Sequence, residues 1–186
     1  MIEAIGHRPE DLAQAFIAHY HKDHFGSLAH VVERTDAQVL AHALDAPVIR
    51  GERVAEEPVL SGWEKELLDQ ITEDKEPWPP ARVDRELADG DEIDLEGGAR
   101  VVHVLGHTPG SIALYVPKRQ LLFAGDAVAS VDGKPIVGVF NLDGEQAKAS
   151  FRKLAELDFE VACFGHGAPL DKEASPAFRR LAERLG

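Results

Sequence analysis

With 44% hydrophobic and 28% charged residues, the 186-residue chain has an ordinary globular composition and suits one domain spanning residues 1–186. Its 33 acidic and 20 basic residues leave a net charge of −13, which argues against a nucleic-acid backbone or an anionic membrane as partner, because both need a basic surface. The lone Cys163 excludes an intramolecular disulfide, and no basic n-region or membrane-length apolar run is present, so a cytoplasmic setting is expected.

In chain order, residues 1–12 read as a helix end followed by a turn at Pro9-Glu10-Asp11. Residues 13–18 form a short buried strand that delivers His19-Tyr20-His21-Lys22-Asp23-His24 on a strand-to-helix loop. The following helix covers residues 26–34, and residues 38–41 form another short strand. Ser61-Gly62-Trp63-Glu64 has the form of a capping box for a helix reaching Gln70, and the charged, proline-rich residues 72–80 suggest a surface loop. From residue 83 the chain turns to strands punctuated by turn signals: residues 92–95, 100–105, and a hairpin of 112–116 with 121–124. An amphipathic helix over 145–157, an apolar strand over 161–164 and a closing helix over 175–185 complete a layered α/β pattern.

Three of these strands run into a glycine next to a polar residue: Gly106-His107, Gly125-Asp126 and Gly165-His166. Glycine permits the sharp turn and close backbone approach that aim a side chain at a shared point. Imidazole nitrogens and carboxylate oxygens are good ligands for borderline divalent metals such as zinc. His19, His21, Asp23, His24, His107, Asp126 and His166 are therefore the candidate ligands. For His7, His30, His42 and His103 a surface or packing role is the better reading, with an orienting role open to His103. Thr108 and Ser111 suit ordering the 106–111 turn, Cys163 an inert buried thiol, and Trp63 and Trp78 either a pocket wall or packing.

H-Y-H-K-D-H at 19–24, G-H-T-P-G-S at 106–111, F-A-G-D at 123–126 and F-G-H-G at 164–167 agree in type, order and rough spacing with the metallo-β-lactamase-fold hydrolases, which the chain resembles. The resemblance implies an α/β fold in four layers, an αββα sandwich. It also implies two zinc ions, with iron or manganese as alternatives. His19, His21 and His107 would hold one ion and Asp23, His24 and His166 the other, with Asp126 bridging. Asp23 and Asp126 are the implied catalytic carboxylates. A hydroxide shared by the two ions would attack the carbonyl of a small ester-like substrate, a thioester or a lactone.

The aspartate at 126 disfavours β-lactam hydrolysis, since the commonest true β-lactamases have cysteine there. Glyoxalase II carries a C-terminal helical extension, whereas 20 residues follow His166; lactonases usually have a tyrosine soon after the bridging aspartate, whereas Ala127-Val128-Ala129-Ser130 has none. A mononuclear iron persulfide dioxygenase and a catalytically weak metal binder stay open as alternatives. Family members carry roughly forty to fifty residues, several strands' worth, ahead of the first histidine strand. Here 18 precede His19 and no I-D-T-G-like turn exists, so the sandwich is expected to be N-terminally truncated and prone to homo-oligomerise.

Overall fold

Two sheets carry the candidate site, and their central strands, Gln38–His42 and Ile112–Val116, are largely buried on both faces, which is why they read as nearly continuous apolar runs. The computed structural model describes residues 4, 6–60, 62–71, 78–95 and 97–185. The first sheet is parallel, in the order β1 (Gln14–Ile17), β2 (Gln38–His42), β3 (Arg85–Leu87). The second is mixed, in the order β10 (Val161–Cys163), β7 (Leu121–Phe123), β6 (Ile112–Val116), β5 (Ala99–His103), β4 (Glu92–Ile93), with only the β10–β7 pair parallel. A separate hairpin joins β8 (Val128–Val131) to β9 (Lys134–Val137).

Strand alternation sorts the apolar side chains into three cores, one for each gap between four layers. On β2, Leu40 points at the second sheet and, with Leu87 of β3, packs against Val101, Ile112, Leu114 and Val116. Its neighbours Val39 and Ala41 point the other way, toward Leu28 of α2 (Leu28–Arg34) and Ile49 of α3 (Ala46–Ile49). On the second sheet, Val102, Ala113 and Leu122 face Phe151 and Leu154 of α5 (Gly144–Ala155) and Phe178 of α6 (Ala174–Ala182). Phe151 and Phe178 stack with their centroids 5.1 Å apart. This is the expected αββα sandwich. Toward one side of the gap between the sheets, Phe16, Leu95, Leu114, Phe123 and Cys163 line an apolar groove of about 360 Å³.

Several expectations shift in detail. The helix expected over 26–34 starts only at Leu28, as α2, and a separate one-turn helix, α1 (Lys22–Phe25), precedes Gly26. The β8–β9 hairpin was not anticipated, although Asp132 and Gly133, with φ of 50° and 70°, supply the left-handed pair that a two-residue hairpin turn requires. α4 (Trp63–Ile71) forms where a helix was expected; the Ser61 cap and residues 72–77 of the loop lie outside the described residues. Among the described residues no helix is long and apolar enough to cross a membrane.

Candidate metal centre

β1 ends at Ile17 and hands the chain to a tight turn in which His19 is almost fully buried. Asp23 and His24 were expected on a loop; they sit on α1, whose first turn closes through His24 and Phe25 N–H donating to the His21 carbonyl at 3.0 and 3.1 Å. Phe25 is the anchor. Its ring is buried against the helix-facing side of the first sheet, which offsets the poor helix signal of so short a segment.

His107 stands on the loop between β5 and β6. Gly106 before it has φ of 128°, and a Cβ there would collide with the backbone N of Ala147, so glycine alone lets this loop press against the start of α5. The contact is fixed by Asp143 N–H donating to the Gly106 carbonyl at 2.9 Å, while Asp143 Oδ1 caps α5 by accepting from Glu145 and Gln146 N–H. Asp126 follows β7 in a 3₁₀ turn, Gly125–Ala127, and His166 follows β10. Because β7 and β10 run parallel, both residues emerge at the same sheet edge.

The seven candidate ligands come together as two clusters: His19, His21 and His107; and Asp23, His24, Asp126 and His166. In the first, His107 Nε2 lies 3.2 Å from His19 Nε2 and 2.9 Å from His21 Nδ1. In the second, Asp23 Oδ2 lies 2.8 Å from His166 Nε2 and 3.5 Å from His24 Nε2. Asp126 faces both clusters. Its Oδ2 is 3.7 Å from His107 Nε2 and 3.3 Å from His166 Nε2, and its Oδ1 is 3.3 Å from His24 Nε2. His19 and His107 are buried, while Asp23 and His166 are open to solvent, so access is from the second cluster.

Burial depresses His19, His107 and His21, the last to about 4, keeping these imidazoles neutral and able to ligate. His24 goes the other way: burial pulls it down, but Asp126 and Asp23 outweigh that and lift it to about 9. The His24 partner holds Asp23 well below the usual carboxylate range. Burial would raise Asp126, yet His24 and the neighbouring imidazoles leave it depressed. The residues fit a metal. The nitrogens of three imidazoles converge at 2.9 and 3.2 Å, near the spacing of about 3.3–3.4 Å that a tetrahedral zinc with Zn–N bonds of about 2.0–2.1 Å sets between its ligands. Asp126 Oδ1 is buried and makes no hydrogen bond of good geometry, its contact with His24 Nε2 at 3.3 Å included, which leaves a carboxylate oxygen available to a cation.

Around the clusters, Thr108 and Ser111 order the 106–111 turn through a hydroxyl–hydroxyl contact of 2.8 Å and a bond from Thr108 N–H to Ser111 Oγ. His103 stacks on His42 and its Nε2 lies 2.8 Å from the Pro109 carbonyl, so it steadies the His107 loop from behind. His7 and His30 are exposed. Trp63 is exposed, and Trp78 packs edge-on against Phe25 beneath the Lys22 ammonium; the described contacts give neither a place in the ligand clusters. Cys163 is half-buried rather than buried, and burial raises its thiol pKa, which keeps it unreactive. Asp45 received no assignment from the sequence. It is buried and touches both loops that carry the first cluster, and although it precedes α3 its side chain makes no capping bond.

An αββα sandwich with two clusters of histidine and aspartate at one edge defines a class of metal-dependent hydrolase folds. The chain matches the Metallo-beta-lactamase superfamily model over residues 2–166 and belongs to that superfamily. It is 26% identical to the probable metallo-hydrolase YflN of Bacillus subtilis, covering 94% of this chain and 72% of that one. It is 28% identical to a hydroxyacylglutathione hydrolase of Cereibacter sphaeroides over 89% of this chain, but spans only 52% of that enzyme. Among solved structures, the di-iron-bound form of TTHA1623 aligns with a TM-score of 0.64 and 30% identity, over 90% of this chain and 75% of that one.

Proposed function

We propose that this chain is a zinc-dependent, binuclear hydrolase of a small ester-like carbonyl compound, a thioester or a lactone. The observation that carries the reading is the position of Asp126, whose Oδ2 lies between the two clusters while Oδ1 turns to His24. His19, His21 and His107 would hold one ion; Asp23, His24 and His166 would hold the second, with Asp126 shared. When bound there, a metal pair supplies Lewis-acid polarisation of a carbonyl and a nucleophilic water active at neutral pH. The remaining work falls to the chain. Asp126 orients the attacking water and takes its proton on Oδ1. The neutral His19, His21 and His107 keep the floor of the site dry and fixed, and the open side at Asp23 and His166 admits the substrate.

An acyl group on the sulfur of glutathione is a thioester, so the similarity to a hydroxyacylglutathione hydrolase supports that substrate class over a β-lactam. The net charge of −13 supports a small molecule over a nucleic acid, and the single cysteine supports a cytoplasmic setting. The test is elemental analysis of purified protein together with a hydrolysis panel of thioesters, lactones, phosphodiesters and β-lactams. Two metal ions per chain, and thioester or lactone turnover reduced at least 100-fold in His21→Ala and Asp126→Ala, are the expected results. One iron per chain with oxygen consumption would replace this reading by an oxygenase.

A further inference from the structure

Asp45 is 1% exposed, and its carboxylate is divided between the two loops that carry the first ligand cluster. Oδ2 accepts from Tyr20 N–H at 3.1 Å and from the Thr108 hydroxyl at 2.7 Å, while Oδ1 accepts from Gly110 N–H at 2.7 Å. Tyr20 lies between His19 and His21, and Thr108 follows His107 directly. A side chain at Gly110 would sit 2.5 Å from Asp45 Oδ1 and 2.7 Å from Asp45 N, so the second loop closes on this carboxylate only because residue 110 is glycine.

All three partners are hydrogen-bond donors and none is a cation. Burying a carboxylate is costly, and an apolar side chain would fill the same volume without that cost. What an apolar side chain does not do is fix the distance between two separate backbone segments. We propose that Asp45 is the positioning residue of the first cluster, a carboxylate clasp that sets the spacing of His19 and His21 against His107. The clasp rests on the metal-binding reading above. Its bonds do not reach the loops of Asp126 or His166, and Asp23 and His24 are held beyond it by the turn of α1.

The chemistry also names the discriminating variant. Asparagine has the shape of aspartate, but its amide NH₂ must face either Gly110 N–H or Tyr20 N–H, donor against donor. Cobalt(II) titrations of the full chain, followed by visible absorption and by competition with a chromophoric chelator, read the two ions separately. His21→Ala assigns the absorption of the first ion. Residues that orient metal ligands are worth about 10–100-fold in affinity. Asp45→Asn is therefore expected to weaken the first ion 10–100-fold and leave the second unchanged; Thr108→Val should act in the same direction, and Thr108→Ser, which keeps the hydroxyl, should restore wild-type binding.

Wild-type affinity for both ions in Asp45→Asn, or equal weakening of both, overturns the clasp. If Asp45→Asn fails to fold by far-ultraviolet circular dichroism, the Thr108 pair decides: selective loss in Val with rescue in Ser supports the clasp, and no difference between them overturns it. A wild-type chain that binds no cobalt at either cluster overturns the metal reading itself and the clasp with it.

Discussion

At Gly165 one methyl group is enough to disturb the solvent-facing cluster. A Cβ there would fall on Asp126 Oδ1 and come within 2.7 Å of His24 Cε1, and both belong to candidate ligands held by their own elements. Overpacking of this kind typically costs about 1–3 kcal/mol, and here the strain lands on ligand geometry rather than on a core. Gly165→Ala is therefore expected to keep its fold by circular dichroism while losing at least tenfold in affinity for one of two metal ions, measured by chelator competition. The residue scale also shows what a sequence conveys and what it withholds. His19, His21, Asp23, His24, His107, Asp126 and His166 were legible because their type and spacing are themselves the chemical signal. Asp45 was not, because a lone aspartate between apolar residues carries no spacing signal, and only the folded chain brings it against Tyr20, Thr108 and Gly110.

Elements with strong local signals were read correctly. The strands around His107 and Asp126 are bounded by turn residues, and α5 announces itself by its apolar stripe and the Asp143 cap. The errors fall where tertiary contacts override weak local preference. Lys22–Phe25 becomes helical because Phe25 finds a buried site, and Ala46–Ile49 because Ala46 and Ile49 do. The β8–β9 hairpin is a different failure, since Asp132-Gly133 was a usable signal passed over. The role of α5 as the backing of the His107 loop makes its cap testable. Asp143→Ala removes the acceptor for two N-terminal N–H groups and is expected to cost about 1 kcal/mol in denaturant unfolding. Phe178→Ala, which empties the ring cluster between α5, α6 and the second sheet, should cost about 3–5 kcal/mol by the same measurement.

The protein as a whole carries opposed titrations, and their balance sets its stability in the metal-free state. His19, His21, His42 and His107 are depressed by burial, His21 and His42 to about 4 from an ordinary 6.5. Below pH 6.5 the unfolded chain takes up protons that the native chain refuses, so these groups remove stability as pH falls from 6.5 toward 4. His24, raised to about 9, works on the other limb: its native proton is favourable at and below pH 6.5, and that contribution is lost as pH rises through 9. Asp45, lifted by burial to about 6 from 3.8, partly offsets the acid limb, because the native state binds its proton more tightly between those values. Four depressed imidazoles outweigh one raised carboxyl, so the stability of the metal-free protein should peak near pH 6.5 and decline on both sides. Bound zinc removes the alkaline limb, since a ligating His24 has already given up its proton, and adds stability that grows as the competing protons leave. Thermal unfolding followed by circular dichroism from pH 4 to 10 should therefore show a maximum near pH 6.5 in the presence of a chelator and a plateau above pH 7 with excess zinc. Superimposable profiles with and without zinc would show that His24 and its partners are an ion-pair network and not a metal site.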